Sequence, residues 1–444
     1  MTSTIIRSIQ LLLSISTLII VHELGHFILA KIFKVRVEKF FLFFNPWFSI
    51  FSKKIGDTIY GLGWLPLGGY VKISGIITTE DVNHHNNTKK NDWEFRSKSS
   101  IKKLLIISGG IISNILLSII IFTCLLFQYG EIYLPTKNIP YGIEVDDLGK
   151  NIGLKNGDKI LFVNGQYIQY FNEIPKAIIL GDSITIDRMG KIVHLSLDNN
   201  KKRYLFDRKK FSFFIRPRIP IIIDDYNSSS TGVDGLKKND EILAINSKFV
   251  LFSDQLKNFV SKYKNENILI TINREGTIIH KNVYVDNKGL LGSINLKSFM
   301  DMDNIFLFEK KKYSLIESFF HGTKKSWNVL KNQIFFFKNV FHIQTKAYKQ
   351  IGSLFSMAKE FPSTWNWNIF WTFTATLSIW LAFLNLFPIP SLDGGYILFI
   401  IIEMITKKRI NESITEKCTV LGFLIISVIM IFIIIWDIFK VLLY

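Results

Sequence analysis

His22 and His26 stand four residues apart, with Glu23 beside the first, in His22-Glu23-Leu24-Gly25-His26. Four steps at about 3.6 residues per turn bring a helix almost back to its starting angle, so both imidazoles share one face. Two such nitrogens can hold one Zn²⁺ at about 2.0–2.1 Å, with Glu23 close enough to act as general base toward a water that the metal activates. The chemistry implied is metal-assisted hydrolysis. A soluble hydrolase places this pattern in an aqueous cleft. Here the flanks, Leu11 to Val21 and Phe27 to Ala30, are apolar. Ionisable groups at membrane depth are costly, and where they occur they mark function.

Two histidines leave zinc short of a catalytic set, which is three protein ligands plus an open position. His84-His85 sit in a polar stretch, and His194, His280, His321 and His342 fall in or just after the long region beyond residue 130. The better third ligand is Asp393, in Asn385-Leu386-Phe387-Pro388-Ile389-Pro390-Ser391-Leu392-Asp393-Gly394-Gly395. Two prolines end a helix there, and the paired glycines suggest a tight turn, so a carboxylate at the break can face the first apolar segment. The alternative is a solvated loop aspartate. Asn385 can hydrogen-bond a substrate backbone or a developing oxyanion; its bland alternative is an amide packed between helices.

These groups need elements to hold them. The chain has 444 residues, 48% of them apolar, which fits a membrane protein with a sizeable water-soluble part. Four segments have the length and lack of charge of spans: roughly Ile5 to Phe33, Leu104 to Tyr129, Ile369 to Phe387 and Thr419 to Leu443. The first carries the motif and has no small-residue cleavage site after it, so an uncleaved span is expected. The expected fold class is a multi-pass α-helical membrane protein with four transmembrane helices, a membrane-associated β-hairpin and two extracytoplasmic α+β domains. The expected boundaries are a first span over 1–33, a cytoplasmic segment with the hairpin over 34–103, and a second span over 104–130. Two domains follow over 131–219 and 220–305, then an amphipathic helical region over 306–365. A third span over 366–390, a cytoplasmic loop over 391–418 and a fourth span over 419–444 complete the chain.

The formal charge of +18 raises nucleic acid or acidic lipid as partners. No basic motif interleaved with base-stacking aromatics occurs, so a nucleic acid is not expected and the lipid bilayer is. Segment 31–103 carries thirteen Lys/Arg against six acids, which favours the cytoplasmic side for it and the opposite side for 130–368. Two cysteines, Cys124 and Cys418, are too few for a disulfide framework.

The region after the second span repeats itself. Gly153-Leu154-Lys155-Asn156-Gly157-Asp158-Lys159-Ile160-Leu161-Phe162-Val163-Asn164-Gly165 matches Gly235-Leu236-Lys237-Lys238-Asn239-Asp240-Glu241-Ile242-Leu243-Ala244-Ile245-Asn246-Ser247. Each copy reads as a turn with Asp, an apolar strand and an Asn turn. The pattern resembles the signature of PDZ domains, which bind extended peptides at a sheet edge. Tyr313 to Glu360 reads as an amphipathic surface helix. Segment 58–75 is Gly-rich around Pro66 and Gly68-Gly69 and suggests a hairpin, whose exposed edge could pair with an unwound substrate.

Taken together, the chain resembles bacterial site-2 proteases of the regulator-of-sigma-E type, members of peptidase family M50. The resemblance rests on the His22 to His26 motif in span one, Pro66 to Lys72 after it, Gly109 to Asn114 opening span two, the tandem repeats, and Asn385 to Gly395 closing span three. It implies an intramembrane zinc metalloprotease with His22, His26 and Asp393 as ligands and Glu23 as general base. It assigns the Tyr60 to Lys72 stretch to a membrane-reentrant β-loop that clamps substrate, with Tyr60, Gly61, Leu62, Gly63, Trp64 and Leu65 as contacts. It implies single-span membrane protein substrates: an anti-sigma factor, after a first protease has trimmed it, and remnant signal peptides. The implied place is the cell inner membrane, with the PDZ domains periplasmic. The chain departs from the family at Phe43-Phe44-Asn45, where a glycine-phenylalanine-glycine turn is usual, at Gly109-Gly110, where a glycine-proline pair is usual, and at Ile351-Gly352-Ser353. Two rival readings are a membrane-anchored zinc protease acting on extracytoplasmic proteins and a non-catalytic PDZ scaffold. The oligomeric state is not legible.

Overall fold

A helix that crosses lipid has no need to hide its apolar residues, and the long apolar helices of this chain bury small and polar residues beside large apolar ones. In the computed structural model, residues 2–76, 91–198, 214–226, 235–291, 294–340 and 354–443 are described. His84-His85, His342 and Ile351-Gly352-Ser353 lie outside them. The chain divides into two units; among the described residues, one runs up to Gly130 and resumes at Lys312, and the other is Glu131–Lys311.

The first unit contains α1 (Thr2–Ile32), β1 (Val37–Ile55), β2 (Thr58–Ile73), α2 (Ser100–Tyr129), α3 (Leu315–Val340), α4 (Trp367–Asn385), α5 (Asp393–Thr406) and α6 (Glu412–Leu443). Helices α1, α2, α4 and α6 are long and apolar enough to cross a membrane. They fall on the four segments expected to span. In α2 the buried positions include Gly109, Gly110, Asn114 and Ser118, while Leu116, Ile120 and Phe127 face outward. With apolar solvent outside, association is driven by close packing and interhelical hydrogen bonds, which small and polar residues supply. Thr374 of α4 donates to Ser14 of α1 at 3.0 Å, and both are buried.

Helix α3 also packs through such residues. It buries Ser318, Ser326 and Gln333 and exposes Leu315, Ile316, Phe320 and Trp327. Ser326 Oγ lies 3.1 Å from Ser118 Oγ of α2, and Gly322 lets α3 close on Thr123. Of the surface helix expected over Tyr313 to Glu360, the described residues are helical over Leu315–Val340 and Leu354–Glu360, residues 341–353 lie outside them, and the side packed on α2 carries small and uncharged polar residues. The break after α4 also differs from the expected loop over 391–418. Asp393 opens α5, with Leu392 as N-cap. A carboxylate is favoured in a first helical turn by the helix dipole. Gly394 and Gly395 serve close packing rather than a turn: a Cβ on either would collide with the carbonyls of Leu386, Phe387 or Ile389.

Strands β1 and β2 are more than one hairpin. Phe40 pairs with Val71 on one flank and Tyr60 on the other, and Leu42 pairs with Gly69 and Leu62. Tyr60 and Leu62 pair in turn with Lys53 and Phe51. The two long strands thus fold into four paired segments, with 59–62 inside and 69–73 at one edge. Phe43 (φ 67°) and Trp47 (φ 69°) take the left-handed conformation at the bend. At the far end Trp64 stacks on Trp47 and Phe48 and donates from Nε1 to the Pro46 carbonyl at 3.0 Å.

The second unit holds β3 (Glu131–Tyr133), β4 (Ile143–Val145), β5 (Lys159–Val163), β6 (Ser183–Arg188), β7 (Lys191–Ser196), β8 (Ile215–Pro217), β9 (Ile221–Tyr226), β10 (Glu241–Ile245), β11 (Lys248–Phe249), β12 (Asn267–Arg274), β13 (Thr277–Tyr284), β14 (Ile294–Leu296) and β15 (Glu309–Lys311). Its architecture is a duplication. Sheet β5-β6-β7 corresponds to β10-β12-β13, pair β4-β8 to β9-β14, and helix Ile174–Leu180 to Ser253–Val260. Each copy has its own core, one around Ile152, Leu154, Ile178 and Ile186, the other around Leu236, Ile242, Ile270 and Val283.

The turn aspartates noted in the repeat prove to be buried ion pairs. Asp158 receives Arg188 Nε at 2.8 Å and the Lys155 amide at 2.8 Å; Asp240 receives Arg274 Nε at 2.7 Å and the Lys237 amide at 2.7 Å. Burial pushes the Asp240 carboxyl up, but these donors outweigh it and hold it below the usual carboxylate range. The two copies are joined by Asp254, which receives Arg218 Nε at 2.9 Å and Asn156 Nδ2 at 2.7 Å.

Candidate metal centre

Gly25 of α1 and Gly109 of α2 bring the two helices into backbone contact: a Cβ on Gly109 would lie 2.6 Å from the Gly25 carbonyl oxygen. The next residue, Gly110, leaves the space that the imidazoles occupy, since its Cβ would fall 2.5 Å from His26 Nε2. The helix period sets His22 and His26 on this face, both 8% exposed. Their Nε2 atoms lie 3.3 Å apart.

Asp393, at the start of α5, completes the group. Its Oδ2 lies 3.2 Å from His22 Nε2 and 3.4 Å from His26 Nε2. Oδ2 is buried and has no well-aligned hydrogen bond among the described residues, so these contacts are close approaches of charge-bearing atoms rather than formed hydrogen bonds. Three donor atoms converge at 3.2, 3.3 and 3.4 Å. A tetrahedral ion about 2.0–2.1 Å from each ligand sets ligand-to-ligand edges of about 3.3 Å, so the donor set fits zinc in both chemistry and spacing. Among the described residues, these three form the group of histidines, cysteines and acids able to hold a metal.

Glu23 is half-buried, its carboxylate within electrostatic reach of His26, His22 and Asp393 and against the backbone amide of Val71 in β2. Asn385 ends α4 with Nδ2 3.4 Å from His22 Nε2, on the ligand side of the ring. Of Tyr60 to Leu65, the first three lie inside the sheet rather than at an open edge. Tyr60 packs near Phe27 and Phe40 at ring distances of 6.0 and 6.1 Å, Gly61 lies beneath Phe41, Gly63 approaches the Phe44 carbonyl, and Leu62 is paired on both flanks. The one-sided segment nearer the site is 69–73, which carries Val71. Remaining described histidines are used otherwise: His194 and His280 bond Thr185 and Thr271 at 3.0 and 3.1 Å, and His321 stacks on Tyr313.

Two partners from α2 were not among the expected site residues, although Asn114 closes the Gly109 to Asn114 motif. His26 Nδ1 lies 2.9 Å from the Ile106 carbonyl oxygen, and His22 Nδ1 lies 3.3 Å from Asn114 Nδ2. A carbonyl leaves no mark in sequence. An asparagine inside an apolar span does, because its amide must be satisfied there.

The sequence matches the model of peptidase family M50 over residues 10–429. It is 29% identical to the "Putative zinc metalloprotease" of Borreliella burgdorferi over 90% of this chain and 91% of that protein. It is 28% identical to a Campylobacter jejuni protein of similar name, covering 96% and 92%. It is 23% identical to the Regulator of sigma-E protease RseP of Escherichia coli, covering 94% and 95%.

Proposed function

The chain belongs to peptidase family M50 and is a zinc metalloprotease, and from this premise we propose that it hydrolyses peptide bonds within the membrane, in spanning segments of single-span proteins. The observation that carries the reading is the placement of His22, Glu23 and His26 two-thirds of the way along an apolar helix able to cross a bilayer. The substrate classes proposed are an anti-sigma factor already trimmed outside the membrane and remnant signal peptides. The proposed site is the inner membrane, with the duplicated unit as two periplasmic PDZ domains.

In this reading His22, His26 and Asp393 hold the zinc through Nε2, Nε2 and Oδ2. Bound there, zinc supplies Lewis acidity toward water and the scissile carbonyl. Glu23 takes the proton of the attacking water and returns it to the leaving amine. Asn385 Nδ2 donates to the carbonyl oxygen as negative charge grows on it. A spanning substrate must unwind first, since helical hydrogen bonds hide its carbonyls. The edge at 69–73 gives an unwound strand backbone partners beside Glu23, Tyr60 to Leu62 back that edge from inside the sheet, and Gly63, Trp64 and Leu65 continue the same strand.

The test is Glu23→Gln in detergent-purified protein, assayed on a single-span substrate with zinc measured in parallel. The expected result is loss of cleavage with one zinc per chain retained, since the ligands are untouched. Cleavage near the wild-type rate would sink the role given to Glu23.

A further inference from the structure

The ligand nitrogens fix where the ring protons must be. Both histidines aim Nε2 at Asp393 Oδ2, so Nε2 is the atom each offers a metal. A neutral imidazole that gives one nitrogen to a metal keeps its proton on the other, and a buried N–H needs an acceptor. For His26 that acceptor is the Ile106 carbonyl, which can only accept. For His22 the neighbour of Nδ1 is Asn114 Nδ2, at 3.3 Å, which is also a donor. Two donors face each other. Meanwhile Asn114 Oδ1 is buried and has no hydrogen-bond partner among the described residues, and the whole residue is 0% exposed. Oxygen and nitrogen of a side-chain amide have nearly the same shape, so their assignment follows from the hydrogen bonds they must make.

We propose that Asn114 is a positioning residue of the metal centre: turned by half a turn, its Oδ1 accepts the His22 Nδ1–H and so sets the tautomer and ring angle that present Nε2 to zinc. The inference rests on His22, His26 and Asp393 being the zinc ligands. Asn114 is itself held firmly. Ser378 Oγ of α4 donates to its backbone carbonyl at 2.7 Å. Gly110 lies one turn earlier on the same face and leaves room for both rings. One helix, α2, thereby supplies the outer partner of each histidine. Partners of this kind also raise the basicity of the ligand nitrogen, and their loss costs about 10- to 100-fold in metal affinity.

The test compares zinc dissociation constants of the full chain in detergent, by competition with a chromogenic chelator, with no substrate present. Asn114→Leu keeps the volume but cannot accept; its zinc binding is expected to weaken about 10- to 100-fold. Asn114→Asp keeps an acceptor oxygen and gives up the amide donor; it is expected to bind zinc within a few-fold of wild type. A folded Asn114→Leu with wild-type affinity overturns the proposal. So does an Asn114→Asp that loses zinc as Asn114→Leu does, because donation rather than acceptance would then be what His22 needs. Should Asn114→Leu fail to fold, Asn114→Ala takes its place with the same expected loss of zinc affinity, and loss of zinc in Asn114→Asp overturns the proposal as before. His22→Ala is measured alongside. If it held zinc at wild-type affinity, the ligand assignment itself would fall and the proposal with it; if it loses zinc while Asn114→Leu does not, only the proposal falls.

Discussion

Asp393 is the one proposed ligand not held by the motif helix. Its position depends on the break at Pro388-Ile389-Pro390 and on the packing of Gly394 and Gly395 against the end of α4. Without it, two imidazoles on one face leave half the coordination shell to water. Asp393→Ala is therefore expected to lose both zinc and activity, whereas Asp393→Glu, which lengthens the reach of the same carboxylate, should bind zinc more weakly than wild type but measurably. Metal analysis after gel filtration distinguishes the two. A fully loaded, active Asp393→Ala would place the third ligand elsewhere. At this scale the meeting of His22, His26 and Asp393 was legible in the sequence, while the roles given to them remain proposals. The spacing of His22 and His26 is a property of any α-helix, and the proline-broken end of a span marked Asp393 as able to face them, with a solvated loop aspartate as the alternative. Asn114 entered only as the end of the Gly109 to Asn114 motif, with no role, because the atom it approaches, His22 Nδ1, sits on a different helix.

At the scale of elements, the crossing of α1 and α2 sets the metal geometry. Gly109 Cβ would fall 2.6 Å from the Gly25 carbonyl oxygen and 3.1 Å from the His26 amide nitrogen, both backbone atoms that cannot swing aside. Gly109→Leu is expected to push α2 away, carrying the Ile106 carbonyl and Asn114 off the rings. Overpacking of this kind costs about 1–3 kcal/mol, read as a lower thermal midpoint, and zinc affinity should fall with it. Leu116→Ala, on the outward face of the same helix, should change neither. A Gly109→Leu protein with wild-type zinc affinity would show that the crossing is not what places the outer partners. The four long apolar helices could be read from length and lack of charge because lipid demands both. The side each presents could not, as α3 shows: an amphipathic pattern reads as polar-side-out when water is the assumed solvent, and Ser318, Ser326 and Gln333 are buried. Likewise Gly-rich composition announced irregular strands around residue 66 but not their order. Pairing of Phe40 with both Val71 and Tyr60 is a choice among many registers that local sequence leaves open.

At the scale of the whole molecule, every group proposed for chemistry lies outside Glu131–Lys311, and the ends of that unit are close together. Glu131 stands directly opposite Lys311 in the β3–β15 pair, which sets their Cα atoms about 4.5–5.5 Å apart. The unit is thus inserted through adjacent ends and can be replaced by a short Gly/Ser linker from Gly130 to Lys312 without stretching the rest. The duplicated turns, ion pairs and cores give it stability of its own, so the remainder does not depend on it for a core. A bulky unit carried on one side of a membrane protease can exclude substrates by volume, which is discrimination against the wrong partner rather than affinity for the right one. The excised protein is expected to hold zinc as the full chain does and to cleave a trimmed single-span substrate at a similar rate. It should also cleave the untrimmed substrate, which the full chain is expected to spare. Measuring both substrates with both proteins gives four rates. If the excised protein is zinc-loaded and active on the trimmed substrate yet still rejects the untrimmed one, size selection resides in the membrane unit. If cleavage of the trimmed substrate collapses while zinc is retained, the repeats act by recruiting substrate through their sheet edges.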